Sequence, residues 1–158
     1  MQAWIKAAVS GLIGSLVLFV VMVVGVKITG MAPFNLPPSA AFLEALGLNI
    51  GPVAPIGHFV YGAVWALILL AVFGSNVSMT NALGVAGIQW LLLMLVYAPV
   101  IGWGFFGVGG PAHQLAPEAA LYLGSVPKFI VMTLVLHAVY GAINGWLIPR
   151  WAVRAMAK

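Results

Sequence analysis

Polar positions in this chain punctuate long apolar runs instead of alternating with apolar ones. Between Lys6 and Lys27 the run Ala7–Val26 holds nothing more polar than serine. At about 1.5 Å of helical rise per residue it crosses a hydrocarbon core of about 30 Å. A second bracketed run, Phe129–Ile148, sits between Pro127-Lys128 and Pro149-Arg150. Between Glu44 and Glu118 there is no formal charge, and Gly74-Ser75-Asn76 through Asn81 is the polar break dividing that stretch. The pattern predicts four transmembrane helices at about 7–28, 52–73, 81–101 and 127–148. Each must be helical because a helix satisfies its own backbone in lipid. The first run exceeds a signal-peptide apolar region, and Thr29-Gly30-Met31-Ala32 is a poor cleavage site, so it is expected to stay as a structural helix.

Composition agrees. Of 158 residues, 64% are hydrophobic and 5% charged, with a mean hydropathy of +1.17; a soluble domain carries about a quarter charged residues. Six basic residues scattered among apolar runs make no nucleic-acid patch. The absence of cysteine excludes disulfides and thiol chemistry. Two carboxylates, Glu44 and Glu118, leave little for acid–base catalysis, so no enzyme activity is expected.

With four spans both termini share a side. Lys6, Arg150, Arg154 and Lys158 lie there without an acid, whereas Lys27 and Lys128 on the other side are balanced by Glu44 and Glu118. The positive-inside rule places both termini in the cytoplasm of a multi-pass protein of the bacterial inner membrane. Trp4, Trp103, Trp146 and Trp151 fall near the expected interfaces.

At an offset of 79, residues 1–79 align with 80–158 without a gap, with 17 identities over 79 pairs. The longest match sets His58-Phe59-Val60-Tyr61-Gly62-Ala63 against His137-Ala138-Val139-Tyr140-Gly141-Ala142. This reads as a duplicated helical hairpin whose copies enter the membrane in the same direction, the parallel type of repeat, forming a four-helix bundle. Its outer connections also correspond. Pro37–Gly47 and Pro117–Gly124 both read as short interfacial helices, with proline at the start and glycine past the end. The glycine- and aromatic-rich Gly102–Gly110 is expected as an interfacial turn, or else a ligand-facing loop. Pro99 should end or kink the third span.

Within each His-x-x-Tyr-Gly motif the i, i+3 spacing puts imidazole and phenol on one helix face, and Gly62 or Gly141 admits a close neighbour. Because polar rings facing lipid are costly, His58, Tyr61, His137 and Tyr140 should face protein. Three readings remain open. Tyr61, Gly62, Tyr140 and Gly141 serve packing and hydrogen bonding, with the histidines as glue. Alternatively His58 and His137 ligate haem b, with Lys27 and Lys128 for its propionates; equal depth would require the second span to start before Pro52. A proton or solute path through His, Tyr, Gln89 and Asn144 is the third. His113 and Glu118 lack metal-ligand spacing, and no metal is expected. No Gly-x-Ser-x-Gly elbow supports a serine nucleophile. Gly11-x-x-Gly14 and Gly84-x-x-Gly87 read as packing, not phosphate binding.

At its two His-x-Val-Tyr-Gly-Ala segments the sequence resembles small bacterial inner-membrane proteins of the YagU-like kind, a domain of unknown function. The resemblance covers the apolar first helix, the Pro-rich outer loop, and the motif copies at His58–Gly62 and His137–Gly141. It implies a multi-span inner-membrane protein and carries over no functional residue. The expected function is a non-catalytic subunit that packs in and stabilises a larger membrane complex, such as a respiratory one. Its partners are other membrane subunits and lipids, or a second copy. The alternatives are a bis-histidine haem subunit and a small transporter or channel. Folded protein without a Soret band would dispose of the haem reading.

Overall fold

The computed structural model describes residues 1–48 and 51–156, and the apolar runs within them are helices. Four are long and apolar enough to cross a membrane: Gln2–Val26, Val53–Asn76, Met79–Ile101 and Val126–Val153, with mean hydropathies of 2.6, 2.1, 1.9 and 1.7. Regular α-helix occupies α1 (Gln2–Val23), α2 (Pro38–Ala45), α3 (Val53–Phe73), α4 (Met79–Leu92), α5 (Ala98–Ile101), α6 (Val126–Ile148) and α7 (Arg154–Met156). The outward positions are apolar: Ile56 is 61% exposed, Val72 67% and Val131 60%. Water would penalise such a surface; hydrocarbon does not.

The spans are longer than their charge brackets. α1 begins at Gln2 and takes Lys6 into its second turn, where a long amine side chain can reach back to the interface. Neither proline stops its helix. At Pro99 the missing N–H is absorbed by a π-turn over Leu93–Tyr97, in which Ala98 donates to the Leu93 carbonyl five residues back. Helical structure then continues to Ile101 and ends at Gly102, whose φ of 91° suits glycine. A second π-turn, Pro149–Val153, carries α6 past Pro149 into α7. The inner break is shorter than expected because Ser78 caps α4. Its Oγ accepts from the Asn81 N–H at 3.2 Å, and Asn81 Nδ2 donates to the Asn76 carbonyl at 2.9 Å. α4 therefore starts at Met79 instead of Asn81.

The chain divides into two compact units. The first comprises Met1–Phe19, His58–Ile88 and Leu136–Lys158; the second comprises Val20–Gly57 and Gln89–Val135. Small and branched residues fill the first: Ala3, Ala7, Ala66, Leu69, Leu70, Val77, Ala82, Ile148 and Ala152 form one cluster. Aromatic rings fill the second. Phe34 stacks on Trp103 with centroids 5.7 Å apart, and Phe129 meets both edge-on at 6.4 and 5.1 Å. Trp103 is fully buried there, and its Nε1 donates to the Leu121 carbonyl at 2.8 Å.

The two outer connections differ. The first contains α2, opened by Pro37-Pro38 and closed at Gly47 (φ 70°), with Leu48 donating to the Leu43 carbonyl at 3.0 Å. The expected helix over Pro117–Gly124 is instead a pair of turns, Ala119 to Ala116 and Tyr122 to Ala119, leading to a bridge between Leu123 and Phe34. Side chains claim the carbonyls. Asn35 Nδ2 donates to Pro117 O at 2.7 Å and Ala119 O at 2.8 Å, Trp103 takes Leu121 O, and a ring nitrogen of His113 lies 3.0 Å from Leu123 O. Before it, Gly102–Gly110 forms a hairpin, β1 (Gly104–Phe105) antiparallel to β2 (Val108–Gly109), whose turn holds Phe106 at φ 52° and Gly107 at φ 78°. Removing two hydrogen bonds at about 1 kcal/mol each, Asn35→Ala is expected to destabilise the fold by about 2 kcal/mol. Amide exchange over residues 117–124 should accelerate; unchanged exchange there would refute Asn35 as the clasp.

Candidate functional site

The first His-x-x-Tyr-Gly motif lies where α3 crosses α1. Gly62 and Ala66, four residues apart, face Gly11 and Ser15, also four apart, and small side chains at that spacing let two backbones approach. A β-carbon on Gly62 would collide with Ser15 Oγ, and one on Gly11 with the Gly62 carbonyl. His58, one turn earlier and half-buried, uses the same approach. Its Nε2 lies 2.9 Å from the Ser15 carbonyl, which can only accept, so this nitrogen carries the proton and donates. The Phe19 and Phe59 rings flank the imidazole, with centroids 6.0 and 5.6 Å away.

Polar groups buried in this unit form a chain of hydrogen bonds. Ser10 Oγ donates to Asn144 Oδ1 at 3.0 Å, and Asn144 Nδ2 donates to the Tyr140 carbonyl at 3.0 Å. The Tyr140 hydroxyl, in turn, donates to the Gly62 carbonyl. Ser10, Ser15, Tyr140 and Asn144 are all at most 5% exposed. Gly14 makes room for the phenol, because a β-carbon there would sit 2.8 Å from Tyr140 Cδ2 and 3.1 Å from Asn144 Nδ2. Thus the tyrosine of one motif copy seals the carbonyl of the glycine in the other, and three helices are tied.

The second motif packs by the same rule at a different register. Gly141 and Gly145 on α6 face Ala82 and Ala86 on α4; a β-carbon on Gly141 would lie 2.8 Å from Ala86 Cβ and 3.0 Å from the Ala82 carbonyl. In the 79-residue alignment Ala82 and Ala86 correspond to Ala3 and Ala7, two turns from Gly11 and Ser15. The counterparts of Gly11 and Ser15 are Trp90 and Met94, too large to admit a glycine backbone, so α6 uses the small pair two turns away. The two tyrosines also diverge. Tyr140 is buried, while Tyr61 is half-buried with its ring edge-on to Trp65 at 6.0 Å.

His137 is half-buried, the twelfth residue of α6; His58 is the sixth of α3, which begins at Val53. The start before Pro52 that equal depth required is not found. Haem ligation through Nε2 would compete with the hydrogen bond from His58 to Ser15. A nucleophile–base pair would need the Ser15 hydroxyl, and His58 addresses the carbonyl. His113 sits in the second unit with its ring nitrogens 3.0 Å from Leu123 O and 2.6 Å from Gly107 O. Among the described residues no group of three or more metal-ligating side chains assembles. Gln89 is 3% exposed, and its Nε2 has no hydrogen-bond partner among the described residues. Gly84 and Gly87, read as packing residues, have no atom within 4 Å of an added β-carbon. Lys158 and the Lys27 side chain lie outside the described residues.

Sequence reasoning found Gly62, Gly141, Tyr140 and Asn144 but missed Ser10, Ser15 and Gly145. The missed signal was small residues spaced by four, at 11/15, 62/66, 82/86 and 141/145. Compared with family models, curated proteins and solved structures, the chain matches none.

Gly62→Leu and Gly141→Leu should each destabilise the folded chain by about 3 kcal/mol through overpacking against backbone. Ala63→Leu, beside the crossing, should cost less than half as much in detergent unfolding; equal losses would place the glycines away from a close contact. A double-mutant cycle on Ser10→Ala and Asn144→Ala should return a coupling of about 0.6 kcal/mol, the usual scale of interhelical bonds in membranes. Additive effects would deny the bond.

Proposed function

We propose that this chain is a non-catalytic membrane subunit, a helical scaffold that packs in and stabilises a larger bacterial inner-membrane complex such as a respiratory one. One observation carries the reading: in the first unit Ser10 and Tyr140 spend their side-chain hydrogen bonds on joining helices, α1 to α6 and α6 to α3. Serine, asparagine and tyrosine so engaged are structural glue, and the network holds no ionised group to move a proton or bind an ion. Both carboxylates, Glu44 and Glu118, are exposed. The reading takes the halves as a duplicated hairpin with both termini cytoplasmic, in keeping with the YagU-like resemblance.

A second reading, a small proton or solute transporter or channel, is favoured by Gln89. A buried amide without an acceptor is costly in a dry interior, and polar residues in spans often line pathways. Extraction from native membranes in mild detergent separates the two. The scaffold reading expects migration with other chains in fixed proportion; a lone species that drives proton or solute flux in vesicles would replace it with the transporter reading.

A further inference from the structure

One end of the first unit carries charge of a single sign. Lys6, Arg150 and Arg154 are all exposed there, while Glu44 and Glu118 belong to the second unit. The three cations are brought to the same end by packing: Ala3 and Ala7, flanking Lys6, join one cluster with Ile148 and Ala152, flanking Arg150. Arg150 is held in place. Its Nη1 donates to the Trp146 carbonyl at 2.9 Å, and its guanidinium carbon lies 4.8 Å from the centroid of the Trp146 ring. Trp4, Trp146 and Trp151 are 47%, 52% and 40% exposed on these same helix ends.

We propose that this end binds the headgroups of anionic phospholipids. Guanidinium groups present N–H forks that match phosphate oxygens, and no carboxylate of the unit competes for them. The flanking indoles identify the source of the phosphate as lipid: amphipathic rings settle at the headgroup level, where they pack glycerol and the first acyl carbons. A free phosphate ion would make no use of them. Cations beside a membrane end gain from the negative surface of an anionic leaflet, each by about a fivefold factor in binding.

The test uses the full chain in detergent with equal amounts of phosphatidylglycerol and phosphatidylcholine of the same acyl chains, scored by native mass spectrometry. Phosphatidylglycerol should be retained in preference, and that preference should fall about twentyfold in the Arg150→Gln, Arg154→Gln double variant. Lys6→Gln, which leaves the Arg150–Trp146 contact untouched, should lower it about fivefold. Equal retention of the two lipids, as a surface for an acidic protein segment would give, overturns the proposal. So does a preference unchanged by either variant. Excess inorganic phosphate should leave the bound lipid in place; displacement to the phosphatidylcholine level would mark a free-anion site and overturn it as well. Should the double variant fail to fold, the Lys6→Gln result and the salt sensitivity of the unaltered chain decide.

Discussion

Hydrocarbon offers no hydrogen bonds, so a polar group inside a membrane protein must find its partner within the protein. Where two helices are to be joined by such partners, their backbones must first come close. At the crossing of α1 and α3 both requirements meet at Gly62. Its missing side chain lets Gly11 and Ser15 approach, and its carbonyl takes the Tyr140 hydroxyl from α6. A larger residue there would push α1 outward from α3 and disturb the partner of the Tyr140 hydroxyl. The same approach brings the Ser15 carbonyl within reach of His58. Apolar packing gives lipid-embedded helices little reason to prefer each other over acyl chains; small residues and satisfied polar groups supply that reason here.

The two halves solve this problem with shared residues and different partners. His58 and His137, Tyr61 and Tyr140, and Gly62 and Gly141 align, yet Gly62 meets Gly11 and Ser15 while Gly141 meets Ala82 and Ala86. Side-chain volume explains the shift, since Trp90 and Met94 stand where the first half has Gly11 and Ser15. The displaced positions take on other work. Met94 is fully buried in the second unit, and Trp90 donates through Nε1 to Thr133 Oγ1 at 3.1 Å. Sequence identity between halves therefore marks which residues approach a neighbour and does not fix where on that neighbour they land.

The spans were legible because charge and apolar length measure the bilayer directly. Their ends were less so, because Lys6 and Asn81 read as boundaries, whereas a helix tolerates a lysine near its end and Ser78 supplied the cap. Around both prolines the loss of one N–H is absorbed by a π-turn: the third span runs two residues past Pro99 to Ile101, and the last span continues beyond Pro149. The helix expected at Pro117–Gly124 failed for a reason no local pattern contains. Its carbonyls are bound by Asn35, Trp103 and His113, residues 10 to 84 positions away. At the candidate site the glycines stood out by repetition. Ser10 and Ser15 looked like ordinary small residues of an apolar helix until their partners on α6 and α3 were in place.

Gln89 gives the strongest physical argument against a purely structural chain. Leucine in its place would remove an amide whose donor lacks an acceptor, and a side chain of that shape would pack the same buried stripe of α4 beside Ala82 and Ala86. The unpaired donor itself contributes nothing to stability. Ser10 and Asn144 are different: each would leave the other unsatisfied if replaced singly, so structure alone accounts for the pair. Gln89 thus differs from the buried polar residues whose hydrogen bonds are made. Ser10, Asn144 and Tyr140 of the first unit are explained by the helices they join, whereas Gln89 keeps a buried donor that its own helix packing does not satisfy.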